Sequence, residues 1–544
     1  MRRWNGWGEE DKFTPLSQPV VTYLTDLIGP GEKIRDARLE DVVAQVPISR
    51  LPDHQFATTD RRQRLLHARG QSLPDWIALR SGQIGTFPDA VAYPESTSAV
   101  RELLEFGQLH ELILIPYGGG TSVVGHINPL PSDRPVLTID MSRMKRLKQL
   151  DPVSQLATFE SGISGPEIEA QLQPEGFTLG HFPQSFEYST LGGWVATRSS
   201  GQQSLHYGRI EKLAAGVEVE TPMGKMSVSP VPASAAGPDL RHLILGSEGI
   251  LGFITEVIVR VKSIPAVDAF YGIFFRDWQS GIDATRFITQ SGVPLSMLRL
   301  SDPQESETSL IIGGRPDLVN WADRALRTLK YREERCLLIY GVTGQSSLAR
   351  SSHRQVRSIA RRYGGLYTGG FIGKQWRKNR FSTPYLRNAL WEGGYATDTL
   401  ETAVPWFSVP QTVDKIKLAL DEGLKEIGEK VLVFSHLSHV YSDGASIYVT
   451  FLFRRTADPE ETYERWLTLK HAASQVILFQ GGTISHQHGI GSDHAPYLAS
   501  EKGELGIAAI EAARQALDPD GIMNPGKLLP DMDVGSVDFQ YPVR

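Results

Sequence analysis

The 544-residue chain has a single cysteine, Cys336, which excludes a disulfide framework and any zinc site built on several thiolates. It has no apolar run near the roughly 18 residues that a bilayer-spanning helix requires. The opening Met1-Arg2-Arg3-Trp4-Asn5-Gly6-Trp7-Gly8 is basic but lacks the apolar stretch of a secretory signal. An excess of basic charge is missing too: 56 Lys and Arg against 62 Asp and Glu leave a net charge of −6. Bulk charge therefore draws in neither nucleic acid nor an anionic bilayer. With no repeats or low-complexity tracts, the expectation is a cytoplasmic globular protein with more than one core. A surface patch for peripheral membrane contact is still allowed, because such a patch need not be continuous in sequence.

The familiar nucleotide signatures are also missing. Gly118-Gly119-Gly120 follow the apolar run 112–116, but the spacing is not GxGxxG and no lysine follows. Neither a Rossmann fingerprint nor a Walker loop fits. Consecutive glycines after a strand still let the backbone approach a ligand closely and turn successive amides into one concavity, which suits a pyrophosphate. Three more segments rich in glycine and hydroxyl groups follow within about 140 residues, at 184–201, 204–213 and 244–261. Together they offer many uncharged donors to a diphosphate and to the edge of a flat heterocycle.

Texture divides the chain into four parts. Residues 1–80 are polar and punctuated by Pro and Gly, with a helical pattern near 19–28: a partly helical N-terminal extension. Residues 81–265 carry strand candidates at 112–116, 136–140, 156–160 and 214–220, a turn at Pro222-Met223-Gly224 and a helix over 165–173. In residues 266–455, strands at 269–275, 297–300 and 336–340 alternate with helices at 317–329 and 356–363. A hairpin over 431–453 turns at Ser442-Asp443-Gly444, so a sheet covered by helices is expected. Residues 456–544 hold a helix at 460–478, a glycine- and histidine-rich loop at 481–491 and a turn-dense stretch at 518–527. The fold class is α+β.

The order and wording of the glycine segments resemble the FAD-binding domain of the vanillyl-alcohol oxidase/para-cresol methylhydroxylase type flavoproteins. Within that group, RWNGWG, PYGGGTSV, YSTLGGWVATRSSG, GPDLRHLILGSEGILGFITE, YSDGASIYVTF, GGTISHQHGIG and DPDGIMNPGKLL resemble the alkyldihydroxyacetonephosphate synthase family, from Arg3 to Leu529. The resemblance implies a two-part FAD-binding domain over 81–265, a cap or substrate domain over 266–455, and a C-terminal segment returning to the flavin. It implies exchange of the acyl group of acyl-dihydroxyacetone phosphate for a long-chain alcohol, the flavin acting as a covalent trap for the sugar carbon. An FAD-linked dehydrogenase or oxidase of a 2-hydroxy acid, of the lactate or glycolate type, is the alternative, because such enzymes share the flavin segments.

Carried over residue by residue, the flavin contacts fall on Pro116, Tyr117, Gly118, Gly119, Gly120, Thr121 and Ser122. They continue on Gln184, Ser185, Ser189, Thr190 and Gly193, on Thr197, Ser199 and Ser200, and on Glu248, Gly249, Gly252 and Ile254. FAD is expected to be held non-covalently, since no Arg-Ser-Gly-Gly-His attachment motif occurs; His126 is the nearest histidine. Arg387 and Arg299 match arginines at the family's substrate site, and a guanidinium fork suits a phosphate or carboxylate. Tyr448 matches the family's acid/base tyrosine, with Tyr441 as the near neighbour in the hairpin. His486 and His488 match histidines at the flavin and substrate site. No metal is expected, since no third ligand stands beside this i, i+2 pair apart from Asp493 and His494 beyond a glycine turn.

The chain departs from the family in this loop. Gln487 replaces the middle one of three consecutive histidines, and Ser492 and His494 stand where the family has Lys and Arg. Gln487 cannot carry charge, so the site is less cationic. The family's peroxisomal targeting extension is not matched. A lipid or other small-molecule substrate and a homodimer complete the expectations.

Overall fold

The computed structural model describes residues 1–313, 323–324 and 326–529. The expected helix at 317–329 falls largely outside the described residues. Among them, sheets of four, five and seven strands carry the architecture.

The four-stranded sheet runs Ala57–Thr58, Ala90–Ala92, Val136–Asp140, Ile113–Tyr117, its last three strands parallel. Parallel strands are covered on both faces, which is why 112–116 reads as continuously apolar rather than alternating. Helix Thr97–Leu109, capped by Ser96 through the Ala99 amide, crosses over between Ala90–Ala92 and the glycine strand. The N-terminal extension is no separate body: it supplies the edge strand paired to Ala92. Its helix Gln18–Ile28 packs Val20, Leu24 and Ile28 against Leu390, Leu432 and Leu452.

The five-stranded sheet is antiparallel, in the order Leu147–Asp151, Leu156–Glu160, Phe253–Arg260, Ala214–Thr221, Gly224–Val228. Its hairpin turns at Pro222-Met223, as the sequence implies, with Thr221 opposite Gly224. The seven-stranded antiparallel sheet contains Val267–Phe275, Cys336–Gly344, Met297–Ser301, Leu432–Val440, Gly444–Arg454 and Tyr395–Pro405 in that spatial order, with Leu366–Tyr367 outermost. Helices Trp278–Gln290, Ser346–Arg362, Val409–Glu422 and Pro459–Phe479 pack against its core, which is continuous with that of the five-stranded sheet.

After Pro459–Phe479 comes the histidine loop, then a 23-residue helix, Ala495–Leu517, broken at Gly503. The closing segment then zips onto the glycine strand: the Leu114 amide donates to the Ile522 carbonyl, and the Asn524 amide donates to the Leu114 carbonyl. No helix among the described residues is long and apolar enough to cross a membrane.

Candidate active site

Strand Ile113–Tyr117 delivers the three glycines to a cleft of about 390 Å³. Gly119 tolerates no side chain, because a Cβ would lie 1.9 Å from the Tyr188 carbonyl oxygen. That contact also places the glycine run directly against segment 188–190, with Gly118 facing the Thr190 hydroxyl. Arg2, Arg69 and Lys145 line the same cleft. The Arg2 guanidinium donates to the Gly119 carbonyl and lies over the Tyr188 ring. A cleft with backbone amides, hydroxyls and cations along its walls fits a diphosphate.

Thr190 caps helix Leu191–Thr197 by accepting from the Gly193 amide at 3.4 Å, and Thr197 donates back to the Gly193 carbonyl at 3.0 Å. Arg198, with φ 53°, turns the chain to present Ser199 and Ser200. Ser199 pairs with His181 at 3.2 Å, and Ser200 lies 3.5 Å from Nδ1 of His439 on the seven-stranded sheet. Ser189 accepts from the Trp194 indole at 2.7 Å and donates to the Ser185 carbonyl. Thr121 is half-buried beside Ser122, and the Tyr117 hydroxyl lies under Gly120. Gly252 and Ile254 stand where strand Phe253–Arg260 begins.

Two of the expected flavin contacts point elsewhere. Gln184 is exposed; its Nε2 donates to the Arg380 carbonyl at 2.7 Å and its Oε1 accepts from Gln202 Nε2 at 3.0 Å. Glu248 is buried, and its carboxylate accepts the amides of Ile490 at 2.5 Å and Gly491 at 2.8 Å. It thereby fastens the histidine loop to the glycine-rich segment 244–261, while Gly249 packs on Pro116. Gly489 fits between His126 and Glu248 only as glycine: its φ is +85° and a Cβ would meet His126 Nε2 at 2.6 Å.

Glu401, on strand Tyr395–Pro405, makes the second clasp, accepting the amides of Gln487 at 2.5 Å and His488 at 2.6 Å. The two histidines so presented are not equivalent. His486 Nε2 takes a hydrogen bond from Arg209 at 2.9 Å, and since a guanidinium only donates, the imidazole proton sits on Nδ1. That Nδ1 is enclosed and meets no acceptor among the described residues. Burial, then Arg209, drives the His486 pKa well below 6.5, so the ring stays neutral. His488 instead faces the Glu401 carboxylate with Nδ1, at 3.6 Å, and burial lowers its pKa as well. One ring is a donor; the other is oriented to accept at Nε2.

Tyr448 stands beside them. Its ring stacks on His436 at 5.0 Å and meets His488 edge-on at 5.6 Å. Its hydroxyl donates to Thr399 at 3.1 Å, and burial pushes its pKa up, so the phenol is protonated at rest. Beneath it, Arg299 and His436 converge on the buried Glu305, at 2.8 and 2.9 Å. Although burial favours the protonated acid, those two groups hold Glu305 well below the usual carboxylate range. Arg299 thus has a carboxylate partner already.

Arg387 does not. It projects from helix Thr383–Glu392, stacks on Trp76 with Cζ 4.5 Å from the ring centre, and gives Nη1 to the Gln71 carbonyl at 2.7 Å. Gln71 lines the glycine cleft and is bonded to the Ser122 carbonyl through its amide. Nη2 of Arg387 is enclosed without an acceptor among the described residues, and burial lowers the guanidinium pKa.

Arg2, Arg209, Glu401, His436 and His439 belong to this constellation but escape sequence reasoning. The only signal for Arg209 is its place in the glycine- and hydroxyl-bearing segment 204–213. Gln487 is held in the same network, its side-chain oxygen accepting from His439 at 3.1 Å. Among the described residues no group of three or more acids, histidines or cysteines could hold a metal ion.

The glycine-lined cleft beside the four-stranded sheet, and the seven-stranded sheet that carries Arg299, His436 and Tyr448, are the arrangement of an FAD-binding flavoprotein. Comparison with known proteins agrees. Residues 88–229 match the model of the FAD binding domain, and residues 264–528 that of the FAD linked oxidases, C-terminal domain. The alkyldihydroxyacetonephosphate synthase of Dictyostelium discoideum is 30% identical, covering 97% of this chain and 93% of its own. That of Trypanosoma brucei brucei is 33% identical over 87% of this chain and 78% of its own. A solved alkyldihydroxyacetonephosphate synthase structure superposes with a TM-score of 0.84 at 28% identity, covering 96% of this chain and 98% of the other. Para-cresol methylhydroxylase shares the fold, with a TM-score of 0.65 at 14% identity over 95% and 98% of the two chains. The chain belongs to the alkyldihydroxyacetonephosphate synthase family.

Proposed function

We propose that the protein exchanges the ester-linked acyl group of acyl-dihydroxyacetone phosphate for a long-chain alcohol, giving an ether lipid precursor and a fatty acid without net redox change. The observation that carries this reading is Arg387: an enclosed guanidinium with an unfilled donor and no carboxylate within ion-pair distance among the described residues, joined through Gln71 to the glycine cleft and acted on by the Tyr448 hydroxyl. A buried cation left in that state is costly unless an anion completes it. The substrate phosphate is that anion, bound through the planar fork.

Held along the cleft lined by Gly118, Gly119, Gly120 and Thr190, FAD would supply covalent catalysis at the sugar carbon. Around it, His488, oriented by Glu401, accepts the proton that leaves the carbon, and the protonated Tyr448 hydroxyl returns a proton to that carbon, so that no proton is gained or lost over the cycle once the two side chains re-equilibrate. His486 offers its Nδ1–H as a fixed hydrogen bond. The paired Arg299 serves as a positioning residue beneath Tyr448. His126 pairs Nδ1 with Ser122 at 2.8 Å, while its Nε2 lies 3.2 Å from the Glu248 carboxylate without forming a hydrogen bond. A cytoplasmic homodimer with peripheral membrane contact fits a long-chain substrate.

An anaerobic flavin titration tests the reaction class. D-lactate and glycolate should leave the oxidised band intact, whereas acyl-dihydroxyacetone phosphate should perturb it and the alcohol should restore it. Lasting bleaching by a 2-hydroxy acid would instead assign the protein to the dehydrogenases.

A further inference from the structure

A second cavity, of about 270 Å³, opens where four parts of the chain meet. These are the extension at residues 34–36, helix Leu73–Ser81, the end of helix Thr383–Glu392, and the link at 455–459. Its walls hold three arginines, Arg35, Arg80 and Arg455, and one acidic side chain, Asp36. That acid is already committed. One oxygen accepts from Arg80 Nη1 at 2.5 Å and the other from the Trp391 indole at 3.1 Å.

The buried Arg455 has no carboxylate within ion-pair distance among the described residues. It stacks on Trp391, with Cζ 4.6 Å from the ring centre. It donates Nε to the Trp391 carbonyl at 2.9 Å and Nη2 to the Ile34 carbonyl at 3.1 Å, while Nη1 makes no hydrogen bond to the described residues. Arg80, 2% exposed, leaves its Nε without an acceptor among them. Burial lowers the pKa of both, that of Arg455 to about 10. Arg35 is exposed at the rim and forms no ion pair with any described residue. Three guanidinium groups line the pocket against one carboxylate, which Arg80 takes, while Arg455 is held by stacking on Trp391 and by carbonyls, with Glu32 and Glu392 acting only from outside the lining; the pocket is left positive. Uncompensated buried charge of this kind is strongly destabilising unless something else supplies the opposite sign.

We infer that this cavity is an anion site separate from the active site, taking a phosphate group either free or as the monoester of a small metabolite. The volume lies just below the roughly 300–1,000 Å³ of sites for drug-sized ligands, which limits the occupant to a few carbons beyond the phosphate. Trp76 divides this site from the active site: Arg80 lies over its ring at 5.2 Å and Arg387 at 4.5 Å. Trp391 and Arg387 stand one turn apart on the same helix. The inference does not depend on what the active site does.

The test uses FAD-saturated Arg387→Met protein, so that neither the flavin cleft nor the substrate arginine competes. Inorganic phosphate is titrated calorimetrically at constant ionic strength, followed by glycerol 3-phosphate. One saturable phosphate per chain is expected. Arg35→Gln, an exposed change that leaves the fold intact, should raise the dissociation constant roughly tenfold, the scale of one charge-assisted hydrogen bond. Arg455→Met should abolish binding; if that variant fails to fold, Arg35→Gln decides alone. Tighter binding of the ester identifies a metabolite as the source, and equal or weaker binding identifies free phosphate. Absence of saturable binding, or binding that Arg35→Gln leaves unchanged, overturns the inference.

Discussion

Replacing Arg387 separates an arginine kept for a ligand from one kept for the fold, because the two predict opposite signs in stability. In the free protein this guanidinium has one hydrogen bond, to the Gln71 carbonyl, one stacked ring, and an enclosed Nη2 with no acceptor among the described residues. Arg387→Met keeps much of the stem and its contact with Trp76 but removes a buried charge that has no carboxylate within ion-pair distance among the described residues, Asp398 and Asp75 acting on it only from further off. Exchanging buried ionic groups for apolar ones of similar volume is often neutral or stabilising by about 1–4 kcal/mol, against which stands about 1.5–3 kcal/mol for the lost charged hydrogen bond. The melting temperature should therefore hold or rise. Binding should move the other way. Leaving a buried phosphate without its partner costs about 2–5 kcal/mol, or roughly 30-fold to several-thousand-fold in affinity. Arg387→Lys keeps the charge but loses the two-point fork, so its loss should be smaller, about 1–3 kcal/mol. The assay is calorimetric binding of dihydroxyacetone phosphate to the FAD-loaded protein, with thermal unfolding in parallel. Unchanged affinity with a melting temperature several degrees lower would refute the reasoning and make Arg387 a structural residue.

Other outcomes follow from the same geometry. Tyr448→Phe should leave FAD occupancy and melting temperature nearly unchanged while turnover falls roughly 100-fold or more; Tyr441→Phe, assayed beside it, should retain more activity, and the reverse result would shift the proton-donor role to Tyr441. Asp493 is buried with its pKa raised to about 7, so the folded chain keeps a proton that the unfolded chain loses above about pH 4. Its contribution to stability therefore declines as pH rises from about 4 to 7, by at most about 4 kcal/mol. Asp493→Asn should consequently gain in melting temperature over the parent at pH 8 relative to pH 5, and an equal difference at both would contradict this. The protein should purify yellow and release FAD rather than FMN on acid precipitation; a colourless preparation that takes up no FAD would remove residues 116–254 from the cofactor site.

Local pattern made some of this legible. The glycine strand, the hairpin Leu432–Val440 to Gly444–Arg454 and helix Pro459–Phe479 announce themselves by apolar period and turn residues. Helix Ala495–Leu517 does not, because only its start is buried and Gly503 breaks its period. Motif wording is what singles out Arg387, Tyr448, His486 and His488 in the sequence, and the fold brings Tyr448 edge-on to His488. The clasps were not: Glu401 reaches the histidine loop across 86 positions of sequence, and Glu248 across 242. No local signal distinguishes a carboxylate that holds a distant loop from one that faces a cofactor, which is why Glu248 reads as a flavin contact in sequence and as a fastener in the fold. Arg2 lies in a polar extension, and only tertiary folding brings it to Gly119.

The most direct measurement is product stoichiometry. FAD-loaded protein is incubated under argon with acyl-dihydroxyacetone phosphate and a long-chain alcohol, with no electron acceptor, and both products are quantified over many turnovers. The account predicts one alkyl ether formed for each fatty acid released, with the flavin oxidised at the end. Fatty acid without ether, or turnover that stops after one equivalent until an electron acceptor is added, would contradict it.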